Sequence, residues 1–149
     1  MKTRVLIFSV LGAMLFSGPA AAGPASDALA TCMIDYLTGK ERKELGKWIF
    51  LGMSAHPEIS QYSNVTGEIR DESDQYIGNL ITRLLTDDCL AEARTAVSTE
   101  SSVAFASAFE LVGKVAMQEL MTDSNVSNAL AGFEKYLDSE KLESLQSTD

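Results

Sequence analysis

Along this chain apolar residues recur every three or four positions in one segment after another, and no stretch alternates apolar and polar for long. The first spacing marks one face of an α-helix and the second a half-buried strand, so the pattern predicts helices and no sheet. Ser26-Asp27 reads as a helix start, with an acid at the positive end of the dipole. Leu29, Cys32, Met33 and Tyr36 then share an inward face. Thr38-Gly-Lys-Glu41 matches a capping box, which predicts a second helix from near Gly39. From Cys32 to Met53 the chain passes from charged on most positions to apolar on nearly all, as expected of a helix that starts at the surface and enters a core. Leu45, Trp48, Ile49, Gly52 and His56 fall on one face of it, Phe50 and Met53 on another, and Trp48 is expected to be mostly buried. Gly46 and Gly52 lower helix propensity, which implies close approach by a neighbour. Pro57 ends the helix or breaks it.

Glu58 to Thr66 is polar and reads as a loop. A third helix is predicted from Glu68 or Ser73 to Leu85, with Tyr76, Ile77, Leu80, Ile81 and Leu84 as its face. Thr86-Asp87-Asp88 breaks it and caps the next, which carries Cys89, Leu90, Ala93 and Val97. Ser98 to Ser102 forms a second linker. Val103 to Met121 is the most apolar stretch after the N-terminal segment. Ser107, Glu110, Lys114 and Gln118 put one polar stripe on it, and its alanines and Gly113 keep the other faces thin, so it predicts a buried core helix with one wet edge. Asp123-Ser124 opens a last long helix with Val126, Ala129, Leu130, Phe133 and Leu137 inward. The tail, Asp138 to Asp149, is charged, and its Leu142 and Leu145 either extend that helix or dock a short final one. The expected fold is all-α, one bundle-like domain of five to six helices.

The N-terminus changes the picture of where this domain works. Lys2 and Arg4, the apolar run Val5 to Phe16 and the small residues Ala20-Ala21-Ala22 form a signal peptide over 1–22, cut after Ala22, with the helical domain spanning 23–149. The apolar run is short for a bilayer span, so no stable membrane anchor is expected after cleavage. The expected location is periplasmic or secreted. Lys2 and Arg4 are the leader's only charges, so its loss leaves ten cations against 21 acids and moves the formal charge from −9 to −11. Such a surface repels phosphates, which argues against nucleic acid and against an anionic membrane. It suits solubility, and it suits a basic protein partner. Cys32 and Cys89 are the only cysteines, and export predicts that they form a disulfide. Closing that loop would restrict the unfolded chain by about 4 kcal/mol. With neither the short paired spacings of zinc ligands nor a Cys-x-x-Cys, metal and redox roles are disfavoured.

Catalytic equipment is sparse. His56 is the sole histidine, which excludes a multi-histidine metal centre, and no Gly-x-Ser-x-Gly elbow presents a nucleophile to it. Asp71-Glu72-Ser73-Asp74 lacks the alternation, glycine and closing glutamate of a calcium loop. Gly113-Lys114 lacks the rest of a phosphate loop. No cofactor or metal is expected. The residues left as a partner-binding candidate are the basic block Lys40, Arg42, Lys43 and Lys47, interleaved with Glu41 and Glu44, together with His56 at the helix end.

Cys32, Thr38-Gly39-Lys40-Glu41-Arg42, Trp48-Ile49-Phe50, His56-Pro57 and Cys89 together resemble a pattern in short exported bacterial helical proteins of unassigned function. The resemblance covers residues 32 to 57 and one later cysteine, implies a periplasmic helical domain with a disulfide, and brings no activity with it. In architecture alone the chain is similar to acid-stress periplasmic chaperones. The first expectation is therefore an exported, non-enzymatic protein-binding domain, such as an inhibitor or immunity factor for another protein. The alternative is a periplasmic stress or acid-responsive chaperone-like protein, and an enzyme working through carboxylates or His56 stands third.

Overall fold

A computed structural model describes residues 23–101, 103–143 and 145. The leader read over residues 1–22 lies outside the described residues, as do Ser102 in the second linker and Ser144 and 146–149 in the tail. All the regular elements are helical: α1 (Pro24–Tyr36), α2 (Gly39–Met53), α3 (Pro57–Ser60), α4 (Gly67–Arg83), α5 (Leu90–Glu100), α6 (Val103–Met121), α7 (Ser124–Ala131) and α8 (Ser139–Glu143). A π-turn, Leu84–Asp88, links α4 to α5, and a 3₁₀ turn, Glu134–Tyr136, follows α7.

These eight helices exceed the five to six expected, and the excess lies in segments read as loop and tail. Pro57 does not simply end a helix. It occupies the first turn of α3, where its missing N–H costs nothing, and His56 Nδ1 caps that turn by accepting from the Glu58 N–H at 3.2 Å. At the other end, α8 begins after the predicted last helix has stopped. That helix is short because Gly132, a poor helix former, closes it with a tight bond from its N–H to the Ala129 carbonyl.

The junction after α4 also departs from expectation. Thr86-Asp87-Asp88 does not break the helix but widens it, and the Cys89 N–H reaches the Leu84 carbonyl five residues back at 2.8 Å. This extra residue per turn re-phases the chain, so that Leu84 and Cys89 both point inward and are fully buried. Cys89 is joined to Cys32 of α1 across a Cα separation of 6.0 Å.

α6 runs through the centre and has the bounds its composition predicts. Ala104, Ala108, Val112 and Ala116 recur every fourth residue and are buried, a stripe thin enough for α1 and α2 to pack closely on it. At Gly46 of α2, an added Cβ would stand 3.1 Å from the Ala116 carbonyl oxygen and 2.7 Å from Leu120 Cδ1. The close approach predicted there is real. Gly52 has nothing within 4 Å of its Cβ position, so the same expectation fails there. The core comprises Leu29, Met33 and Leu37 at α1, Leu45, Ile77 and Leu80 from α2 and α4, and Leu84, Cys89, Ala93 and Ala96 around the π-turn and α5. None of its side chains comes from α7 or α8.

Candidate functional site

The last turn of α2 carries no basic residue to meet the negative end of its dipole. Arg70, one turn into α4, supplies that charge from outside. Its Nε–H donates to the Leu51 carbonyl at 3.3 Å and its Nη2 to Ser54 Oγ at 3.2 Å, while the buried Ser54 hydroxyl donates to the same Leu51 carbonyl at 2.6 Å. One turn further along α4, Asp74 Oδ1 accepts from Trp48 Nε1–H at 2.6 Å. Two polar clasps thus hold α4 against α2. Between them lies a cleft of about 370 Å³, walled by Trp48, Ile49, Leu51 and Met53 and edged by Arg70 and Asp74.

Trp48 is 37% exposed, which corrects the expectation of a mostly buried tryptophan. Its indole N–H must find a partner, and the one available, Asp74, stays in water, so the ring lies at the cleft mouth rather than in the core. Phe50 and Met53 are exposed on the neighbouring turn of α2, as are Ile59 and Tyr62 beyond it.

The structure divides the basic block. Lys40 and Lys47 line a second cleft between α2 and α4, but they share it with Glu44 and Glu72, and Lys47 is paired with Glu44. Lys43 is exposed. Arg42 turns the other way and is half-buried, with Nη2 donating to the Leu37 carbonyl at 2.9 Å and Nε left without a partner. His56 is exposed and is engaged in capping α3. Lys40, Arg42, Lys43, Lys47 and His56 therefore do not converge on one point.

Glu41 belongs to an internal clasp. Burial pushes its carboxyl up, but the Thr38 N–H and hydroxyl and the Arg83 guanidinium together outweigh this and hold it below the ordinary range. Arg83 Nη2 meets Glu41 Oε1 at 2.9 Å, and its Nη1 lies 3.0 Å from Asp88 Oδ2. That oxygen has no hydrogen-bond partner, so the second contact is coulombic.

A carboxylate not singled out by sequence reasoning ties the N-terminus down. Gly23 caps α1 without a side chain, and Glu100, the last residue of α5, takes that role from a distance. It accepts from the Ala25 N–H at 2.9 Å, from the Ser26 N–H at 3.1 Å and from the buried Ser26 hydroxyl. The Ser26 hydroxyl is the main reason that the Glu100 carboxyl lies below its usual range, with desolvation opposing and the Ala25, Ser26 and Gly23 N–H groups reinforcing. Ser101, which follows it, is held at φ 57°, outside helical geometry, and ends α5.

The largest departure from the expected burial lies past α6. Of the residues expected to point inward, Val126 is half-buried, but Ala129, Leu130, Phe133 and Leu137 are exposed. Phe133 is 61% exposed, Tyr136 81% and Leu145 80%, with Leu142 also open. Alongside them stand Asp123, Glu134, Asp138, Glu140 and Glu143 against Lys135 and Lys141. The arm from Asp123 to Leu145 is therefore both apolar and acidic.

No group of three His, Cys, Asp or Glu side chains among the described residues is arranged to hold a metal ion, and no helix there is long and apolar enough to cross a membrane. Compared with known proteins, the chain gives no significant match to a family model, a curated protein or a solved structure.

Proposed function

We propose that this chain is an exported, non-enzymatic protein-binding domain and that the arm from Asp123 to Leu145 is its contact surface. One observation carries the reading: large apolar side chains, Leu130, Phe133, Tyr136 and Leu137, stand in water on a segment that adds nothing to the core. Exposed aromatics grouped in this way, edged by charge, are the composition of a protein contact site. The five carboxylates and two lysines of the arm favour a partner with an apolar patch bordered by basic residues. An inhibitor or immunity factor that occludes its target fits this description.

The test is capture at low and high salt by the oxidised protein and by its Phe133→Ser variant. One stoichiometric partner, released by salt and held more than about tenfold less tightly by the variant, is the expected result. Equal capture by both proteins would remove the arm from the function.

A second reading, an acid-responsive chaperone, is favoured by the Glu100 clasp, which holds α1 to α5 through a carboxylate. Its premise is an acid transition governed by that group, which a pH titration of stability checks.

A further inference from the structure

We propose that cleavage after Ala22 creates a charged latch: the new α-ammonium of Gly23 pairs with the Glu100 carboxylate and fixes α1 in place. The proposal is independent of the protein-binding reading. It rests on the leader pattern, Ala20-Ala21-Ala22 followed by Gly23, and on what the structure places at residue 23.

Glu100 faces the start of α1 with both oxygens, Oε1 taking the Ala25 N–H and Oε2 the Ser26 N–H. The same carboxylate lies directly against Gly23, within contact of the position a Cβ would take there, and the Gly23 N–H contributes to holding it below its usual range. In the uncut chain that donor is a neutral amide. Hydrolysis of the Ala22–Gly23 peptide bond leaves a carboxylate on the departing leader and an ammonium on Gly23, at a position that already donates to an anion. The change puts a positive charge on a donor that already faces the carboxylate, so that an amide-to-carboxylate hydrogen bond becomes an ion pair. The identity of residue 23 fits the latch as well. A Cβ there would overlap the Glu100 carboxylate and displace it from the N–H groups, whereas glycine leaves it room. A small residue at this point also leaves a signal peptidase unhindered.

The consequence is that processing and folding are coupled. The leader-bearing chain retains the neutral cap, and the mature chain gains the ion pair as α1 settles against α5. In the half-buried setting of Glu100, the added charge contributes modestly and locally.

The experiment expresses the full chain in a Gram-negative host and determines the mass of the exported, oxidised product. A mass starting at Gly23 is expected, and any other start overturns the cleavage half of the proposal. A second chain carries Gly-Ser inserted between Ala22 and Gly23, which moves the ammonium away while the fold and export route stay the same. Glu100→Gln is then made in both, since glutamine keeps an acceptor for the Ala25 and Ser26 N–H groups but removes the charge. The substitution should lower the thermal midpoint by about 2–4 °C more in the natural chain than in the displaced one. It should also speed labelling of the Gly23 α-amine by an amine-specific reagent several-fold. Equal losses in both chains, with unchanged labelling, would show Glu100 to be a neutral helix cap and would overturn the latch.

Discussion

Gly46 and Gly52 sit six positions apart on α2 and read alike in sequence, yet a side chain at each meets opposite surroundings. Alanine at either position gains about 1 kcal/mol of helix propensity. At Gly52 nothing lies within 4 Å of the new methyl, so Gly52→Ala should raise stability by up to that amount. At Gly46 the methyl meets the Leu120 side chain, which can turn aside, and the Ala116 carbonyl, which belongs to the backbone of α6 and cannot. Forcing two packed helices apart costs about 1–3 kcal/mol, so Gly46→Ala should be a net loss. Urea unfolding of the two variants checks the signs, and a gain at both would mean that α2 and α6 do not pack as closely as described. The sequence marks a glycine but not what faces it, because the neighbour comes from a helix some seventy residues later. Trp48 is the same case: a ring at helical spacing reads as core until the acceptor for its N–H, Asp74 of α4, is known to lie in water.

Where an element's boundary is written in its own residues, it was legible. The Thr38 capping box starts α2 with both reciprocal bonds in place, and α6 spans Val103 to Met121 because its composition has no other use for those residues. The π-turn and the Glu100 cap were not legible. The first depends on Cys89 having to face Cys32, and the second joins residues 74 and 75 positions apart. That long-range cap has a pH signature. The folded carboxyl of Glu100 is held below its ordinary value of 4.5, so the stability it contributes is present above that value and is lost as pH falls through the folded pKa. Glu41, lowered by Thr38 and Arg83 against the burial that raises it, adds a second share of the same sign. Glu100→Gln should therefore weaken the protein at neutral pH and flatten its stability curve below about pH 4.5, with Glu41→Gln removing a separate part. Denaturant midpoints measured from pH 7 to pH 3 give both slopes. An acid limb unchanged by Glu100→Gln would mean that the clasp does not govern acid unfolding and would remove the ground for the chaperone reading.

At the scale of the whole molecule, stability and apolar exposure lie in different parts of the chain. The core gathers α1, α2, α4, the π-turn, α5 and α6, and the disulfide closes a 57-residue separation within it. Removing that link through Cys32→Ser with Cys89→Ser should cost about 4 kcal/mol, since the unfolded chain regains the freedom of the loop. Beyond Met121 the same three- and four-residue periodicity continues in Val126, Ala129, Leu130 and Phe133, but no core forms on it, because periodicity reports a face and not the surface that covers it. Two substitutions then separate the two parts. Leu29→Ala, fully buried, should cost about 2–5 kcal/mol, whereas Phe133→Ser should stay within about 0.5 kcal/mol of the parent, both read from urea unfolding. A Phe133→Ser loss as large as that of Leu29→Ala would place the ring in the stabilising interior of the free protein and leave no surplus apolar surface for a partner. A near-neutral result makes the arm an expenditure that folding does not explain. The cost of keeping aromatic rings in water is then set against what binds them, and the same variant serves in the capture experiment because its fold is intact.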